Sequence, residues 1–565
     1  MLAAFVVACL LFVSSGRASP VSNPQAEALS LPSFDPRGLL CQLPVIRSIP
    51  ALCPRQGGSG TNINTPIGTA KGTVGVSGAV RFAAKYGSAQ RWKASSVATT
   101  WALPNGASDP TALPLACPQP NADDASFTED CLSVLLYVPS TLKVGSAVPT
   151  LMWIHGGSFI VGSATNPGLD GSKLAIATNS IVAVVQYRLG ALGWMAPDGT
   201  TNLALKDIVT AMTFLKKVLP SFGGDSSKIT LAGQSSGANM IRALLAVPSA
   251  SLLFQSAIIQ SDPMDYGFLS SATQSKLQAS FTSSLNCTAS STSCLNALSL
   301  DNILDAQSTL FSNAINIDAS AGNAEPIRPV HDGSFITSPL DSTAPFPSQS
   351  KPLLISTVLD EAAPSIFGAF SSALPEAAFG PVVNATFGTT RTQTIVSSAN
   401  YAAPSSASGN SSAADDDARL QLTTLGTDYL WKCSSWTFAR NWVGSGGKAY
   451  VGLYVVGATY PGNDEVSFCT ESGHVCHQDD IEIIFGTVPS PTSAQSQLTA
   501  AMQARYSAFL RTGSPNTGSV AAWTPATTSD VHALSLGGSG EAPVGACSPD
   551  FWGKEVLYDY QVYDI

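Results

Sequence analysis

Gly233, Gln234, Ser235, Ser236 and Gly237 form a G-x-S-x-G pentapeptide. A serine flanked this way suits a sharp turn between a strand and a helix, where its hydroxyl stands exposed and the next amide points to the same spot. The chemistry would be attack on a carbonyl, which needs a base to take the hydroxyl proton and a third group to orient that base. In a chain with 47 glycines such a pentapeptide also arises by chance, so its flanks decide. Ile229 to Ala232 reads as a short apolar strand, and the segment after Gly237 has helical character. Side chains at 233 or 237 would collide with the strained serine backbone, which gives both glycines a physical reason.

Five histidines are available as the base. His155 lies in WIHGG beside a strand end, His331 in PVHDG and His532 in a Ser/Thr-rich C-terminal stretch. His474 and His477 share CTESGHVCHQDDIEIIFG. Residue type alone does not choose among them, since a lone histidine is more often a polar surface or capped core residue. Two neighbouring carboxylates, Asp360 and Glu361, close the apolar stretch KPLLISTVLDE.

The elements that would position these groups are legible from periodicity. Leu132 to Val138, VPTLMWIHGG and SIVAVVQYRLG contain continuous apolar runs, which suit strands buried on both faces of a sheet. KPLLISTV and AYVGLYVVGA add two more. Leu205, Ile208, Ala211, Met212, Leu215 and Val218 recur at helical spacing and predict an amphipathic helix. Spaced glycines between 66 and 92 predict hairpins, residues 19–60 are Pro-rich and irregular, and 397–418 read as a low-complexity surface loop. Strands alternating with helices predict the α/β class: one domain over 19–565, with a large, mostly parallel central sheet, flanking helices and long insertions.

Residues 1–18 read as a secretory signal peptide, because the apolar run Leu2 to Val13 is too short to span a bilayer and Gly16 and Ala18 suit a cleavage site. An extracellular location follows as an expectation. Cys9 would leave with that segment, and ten cysteines would remain. Spacing suggests Cys41 with Cys53, Cys117 with Cys131, Cys287 with Cys294 and Cys469 with Cys476, leaving Cys433 and Cys547 for each other. Spacing does not prove connectivity. There is no C-x-x-C, which disfavours a metal site. Sequons at Asn286, Asn384 and Asn410 agree with secretion. A formal net charge of −10 without basic clusters argues against nucleic acid or anionic membrane as partners. No later apolar stretch is long enough for a stable membrane anchor. Nothing in the sequence specifies an oligomeric state.

FGGDSSKITLAGQSSG (222–237) and, in part, EDCL (129–132) carry a resemblance that WIHGGSF, YRLGALG, VHDGSF, LDEA, TDYLWKC and CHQDDIEIIFG extend in order. From about residue 65 to 555 the chain resembles the type-B carboxylesterase/lipase family, the cholinesterase-like α/β-hydrolases, and its secreted fungal members in style. The resemblance implies an α/β-hydrolase fold and hydrolysis of carboxylic esters with neither metal nor cofactor. It gives Ser235 the nucleophile position, Glu361 the triad acid and His477 the base, in the chain order of α/β-hydrolases. Asp360 is the rival acid by adjacency. The amides of Gly157, Ser158 and Ser236 match the oxyanion hole, and His155 takes a structural part in that loop. Departures are Ser133 and Leu135 in the second signature, Ser158, Ala362 and Gln478 where glycine is usual, and Gln234 where glutamate is common. Ser158 would tighten the pocket or donate a further hydrogen bond. Since His477 must be neutral to act, activity is expected to fall below about pH 6.

Gln234 in place of a carboxylate counts against a choline ester. The segment between Cys117 and Cys131 is short where lipases of the family carry a long lid. That favours a broad carboxylesterase on short or medium acyl or aryl esters, feruloyl-type included, over a triacylglycerol or sterol-ester lipase. The expected partner is a small-molecule or lipid ester. A non-catalytic binding protein of the same family is the reading from another class, and the complete triad argues against it.

Overall fold

The computed structural model describes residues 61–553 apart from 121, 323–324, 349 and 404–415. The expected signal peptide, the Cys41–Cys53 pair, Asn410 and most of the low-complexity loop lie outside the described residues.

Eleven strands make one sheet. Along the chain they are β1 Asn62–Thr65, β2 Gly68–Val74, β3 Ala79–Lys85, β4 Ser133–Pro139, β5 Val148–Ile154, β6 Ile181–Val185, β7 Gly224–Gln234, β8 Ser256–Gln260, β9 Pro352–Val358, β10 Lys448–Tyr454 and β11 Leu534–Leu536. Across the sheet the order is β1-β2-β3-β4-β6-β5-β7-β8-β9-β10-β11. The glycine-spaced N-terminal strands pair antiparallel, as hairpins do, and β4 meets β6 antiparallel. From β6 to β11 every pairing is parallel. Parallel neighbours need crossovers. Helix α1 (Ser172–Thr178) supplies one between β5 and β6, α2 (Leu203–Val218) between β6 and β7, and α3 (Ser236–Leu245) between β7 and β8. Further on, α4 (Leu300–Ile317) lies in the insertion between β8 and β9, α5 (Cys433–Gly444) precedes β10, and α6 (Ser493–Thr512) precedes β11.

The apolar runs alternate between two cores. Leu136, Met152, Ala183, Leu231, Ile259 and Ile355 face one, with α2 and α3. Their sequence neighbours Leu135, Trp153, Val184, Ala232, Ile258 and Leu354 face the other, with α1 and α6. This is why the strands read as unbroken hydrophobic runs. All six α2 residues at helical spacing are fully buried, the large ones contributing about 1.5–3 kcal/mol each. The strand expected over Ile229–Ala232 is longer, because β7 begins at Gly224. Its first half, GDSSK, is polar and partly exposed, and apolarity marks only the buried half.

Among the described residues four disulfides form: Cys117–Cys131, Cys287–Cys294, Cys433–Cys547 and Cys469–Cys476. Asn286 and Asn384 are exposed. No described helix is long and apolar enough to cross a membrane. The carboxyl ends of β5, β7 and β9 carry His155 to Ser158, Ser235 and Glu361, the edge of a parallel sheet at which α/β proteins bind ligands.

Candidate active site

Strand β7 ends at Gln234 and α3 begins at Ser236, so Ser235 alone makes the turn, with φ 57° and ψ −131°. Residues with a Cβ rarely occupy that region. Two hydrogen bonds hold it there: its N–H donates to the Gln260 carbonyl (2.9 Å), and the Asn239 N–H donates to the Ser235 carbonyl (3.0 Å). The flanking glycines are required for a reason other than the one expected. A Cβ on Gly233 would lie 2.7 Å from the Ile154 carbonyl oxygen, and one on Gly237 would lie 2.2 Å from the same atom. The obstacle is the end of β5, not the serine backbone.

Strand β5 runs directly into His155, Gly156, Gly157 and Ser158. Gly157 has φ 120°, and a Cβ there would sit 2.2 Å from the Val161 carbonyl oxygen. Ser158 (φ 49°) and Phe159 (φ 63°) continue the unusual backbone. The Phe159 N–H donates to Ser236 Oγ (3.2 Å), which ties this loop to the start of α3. Among the described residues the amides of Gly157, Ser158 and Ser236 have no acceptor. Unused amides beside a helix N-terminus suit a developing oxyanion. His155 underpins the loop. Its ring stacks on Tyr187 (centroids 4.5 Å apart), and the Tyr187 hydroxyl donates to the His155 carbonyl (2.7 Å). Burial pulls its pKa down to about 4, so it is neutral at physiological pH.

Glu361 sits in the turn after β9, fully buried. One carboxylate oxygen accepts from the Val358 N–H (2.9 Å), and the other is 2.5 Å from His477 Nδ1. Asp360 points elsewhere, to His474 Nδ1 (3.2 Å) and the Val475 N–H (3.0 Å). The structure therefore brings Glu361, not Asp360, to His477. The His477 loop is clamped by the Cys469–Cys476 disulfide and by Asp479, whose carboxylate accepts from the amides of Cys476 (2.7 Å) and Tyr460 (2.8 Å) and from Asn463 Nδ2 (2.8 Å). Asn463 Nδ2 also donates to the His477 carbonyl (2.8 Å). Gln478 has φ 80°, the left-handed region, which explains why glycine is usual there.

His477 Nε2 lies 3.2 Å from the Gln234 side-chain amide nitrogen, one residue from Ser235. With Nδ1–H donated to Glu361, the Nε2 lone pair is the acceptor, the tautomer a general base needs. Among the described residues His477 has no hydrogen bond to Ser235 Oγ; Gln234 holds that position instead. Such contacts are often loose without substrate. Burial pulls the His477 pKa down, but the hydrogen bond and charge of Glu361, with the charges of Asp480 and Glu325, outweigh it and hold it above 6.5. The expected acid limb near pH 6 therefore moves upward. Trp431 packs beside the ring (5.6 Å between centroids).

Residues 60–550 match the profile of the carboxylesterase family. The chain belongs to the carboxylesterase family. Among curated carboxylesterase relatives, para-nitrobenzyl esterase of Bacillus subtilis (strain 168) is 38% identical over 187 residues, 31% of this chain and 36% of that protein. Carboxylesterase 5A of Homo sapiens is 41% identical over 137 residues, 24% of each chain. The probable N-octanoylanthranilate hydrolase AqdA2 of Rhodococcus erythropolis is 41% identical over 143 residues, 25% of this chain and 31% of that protein. These alignments span about a third or less of the relatives' own lengths. A solved structure of PNB esterase superposes with a TM-score of 0.64 at 24% identity, covering 84% of this chain and 95% of that one. The sheet is thus that of an α/β-hydrolase.

Sequence reasoning missed Asn463, Asp479, Trp431 and Glu325 as parts of this site. Asp479 and Trp431 stand inside stretches already singled out, CHQDD and TDYLWKC, where composition gave them no role. Glu325, in AEPIRP, had no motif or spacing to mark it.

Proposed function

We propose that this carboxylesterase-family protein is a secreted serine hydrolase of carboxylic esters, working through an acyl-enzyme. The observation that carries the reading is the 2.5 Å Glu361–His477 contact one residue from a strained serine at a strand–helix turn. Ser235 attacks the ester carbonyl as His477 Nε2 takes its proton, giving up Gln234 to do so. The amides of Gly157, Ser158 and Ser236 hold the oxyanion. His477 then protonates the leaving alcohol and activates water to release the acid. Glu361 fixes the Nδ1–H tautomer and stabilises the imidazolium.

Short or medium acyl and aryl esters are the proposed substrates. Relatives named as a para-nitrobenzyl esterase, a phenmedipham hydrolase and a pyrethroid hydrolase support ester substrates with aromatic groups. The loop closed by Cys117–Cys131 is fastened to the oxyanion segment, since Gln119 Nε2 donates to the Gly162 carbonyl (3.1 Å) and the Gly162 N–H donates to Gln119 Oε1 (3.0 Å). A wall pinned in both directions supports a site without a moving lid on that side. Four disulfides support an oxidising compartment and hence secretion after loss of residues 1–18, with 19–565 as one domain.

The test is hydrolysis of p-nitrophenyl acetate through palmitate, with Ser235→Ala as the blank. Turnover that peaks at short chains and vanishes in the variant is expected. A peak at palmitate would overturn the substrate class, and equal rates in both proteins would overturn the nucleophile.

A further inference from the structure

Strand β8 ends at Gln260, whose side chain follows the alternation of the strand. Ile258, two residues earlier, faces the core that holds α1 and α6, and Gln260 points to the same side. There its Oε1 accepts from the Tyr506 hydroxyl of α6 (3.1 Å), and its Nε2 donates to Asp480 Oδ2 (2.5 Å). All three residues are fully buried. The two contacts fix the amide, because a flip would set Oε1 against the carboxylate, acceptor against acceptor. A bond from an amide to an ionised carboxylate belongs to the stronger class.

Asp480 stands three residues after His477, at the start of the helical turn Ile481–Phe485. The main chain of Gln260 is engaged on the other side of the site, since its carbonyl accepts the Ser235 N–H (2.9 Å). One residue thus grips the serine turn with its backbone and the loop of the base with its side chain. Among the described residues one other hydrogen bond joins the end of β7 or β8 to residues 474–480, that of Gln234 with His477 Nε2. The Gln234 bond has to break when Nε2 takes the serine proton. The Gln260 bond does not.

We propose that Gln260 is a positioning residue for ester hydrolysis, holding the His477 loop in register with the Ser235 turn while Gln234 releases the base. The inference rests on the ester-hydrolase reading. A misplacement of about 1 Å between reacting groups can cost about 10²-fold in rate, so such a tether acts on kcat. KM is spared, because Gln260 and Asp480 are sealed from solvent and touch no substrate. Asp480 also raises the His477 pKa by its charge, together with Glu361 and Glu325, so tether and charge must be tested apart.

The experiment is the pH–rate profile on p-nitrophenyl butyrate, with kcat and KM read on the plateau. Gln260→Leu removes the tether and should lower kcat by about 10- to 100-fold, with KM within about threefold of wild type. Asp480→Asn still offers Nε2 an acceptor but loses the charge. Its kcat should fall by less than about threefold, and its acid limb should move to lower pH. The double variant Gln260→Leu, Asp480→Leu leaves no carboxylate buried without a donor, so its urea midpoint should recover towards wild type while kcat stays low. It also carries the test if the single leucine variant fails to fold. The inference is overturned by a Gln260→Leu kcat within about twofold of wild type, by a loss confined to KM, or by a double variant that regains kcat along with stability. Asp480→Asn as slow as Gln260→Leu would assign the effect to charge and overturn the tether as well. In each of these cases the esterase reading stands. A wild-type rate no higher than that of Ser235→Ala overturns both.

Discussion

Replacing Ser235 by glycine should stabilise the protein relative to replacing it by alanine. Both variants lose the hydroxyl, so its contacts cancel in the comparison. Alanine keeps the Cβ and with it the strain of φ 57°, ψ −131°. Strain in such regions costs about 1–3 kcal/mol. Glycine removes it, but the greater freedom of the unfolded chain takes back about 0.4–1 kcal/mol. The net advantage of Ser235→Gly over Ser235→Ala is then between about 0 and 2.6 kcal/mol, centred near 1.3. At an ordinary strand or helix position the same change loses about 0.5–1 kcal/mol, so the sign carries the information. Equilibrium urea unfolding with the disulfides intact reads it as a higher midpoint at unchanged slope. A midpoint for glycine at or below that of alanine would refute the claim that the Gln260 and Asn239 hydrogen bonds hold this residue in strain.

Three further outcomes are expected. Because His477 must be neutral and its pKa is held above 6.5, kcat/KM should fall on acidification through a limb above pH 6.5. Glu361→Gln should move that limb down and lower kcat by about 10³- to 10⁴-fold, whereas Gln234→Glu, adding a negative charge near Nε2, should move it up; pH–rate profiles of the three proteins check both signs. Gly237→Ala would force a Cβ to 2.2 Å from the Ile154 carbonyl, costing about 1–3 kcal/mol in a denaturant titration and misplacing the oxyanion amides. The paired change Cys469→Ser and Cys476→Ser opens a loop with a sequence separation of 7, worth about 2 kcal/mol of stability by chain entropy, yet it frees the residue next to His477. Activity should therefore fall at temperatures where circular dichroism still reports a folded protein.

Strands β4, β5, β6, β9 and β10 were legible because both of their faces are buried and each therefore reads as an apolar run, whereas β8 (5 residues) and β11 (3 residues) are too short to stand out. Helix α2 was legible from its six-residue stripe, and the catalytic candidates from ordered landmarks. The polar half of β7 was not, since Asp225, Ser226 and Ser227 carry no pattern. The choice between Asp360 and Glu361 was likewise out of reach of local physics, because both follow the same strand and only the turn decides which meets His477. The reason for Gly233 and Gly237 was misread because the obstructing atom, the Ile154 oxygen, is about eighty residues away in sequence. Glu325 was invisible for the same reason: its charge acts on His477 only through the fold.

The order of the strands has a consequence for synthesis. Strand β7 lies between β5 and β8, so the serine turn has its sheet neighbours once residue 260 has been made. The proposed base, His477, arrives 217 residues after residue 260. At roughly 5–20 residues per second, the intervening chain takes about 10–50 s to appear. During that interval the nascent polypeptide holds Ser235 but not His477. On the proposed mechanism the chain is therefore inert while it is being made, and closure of the Cys469–Cys476 loop is among the last events that complete the site.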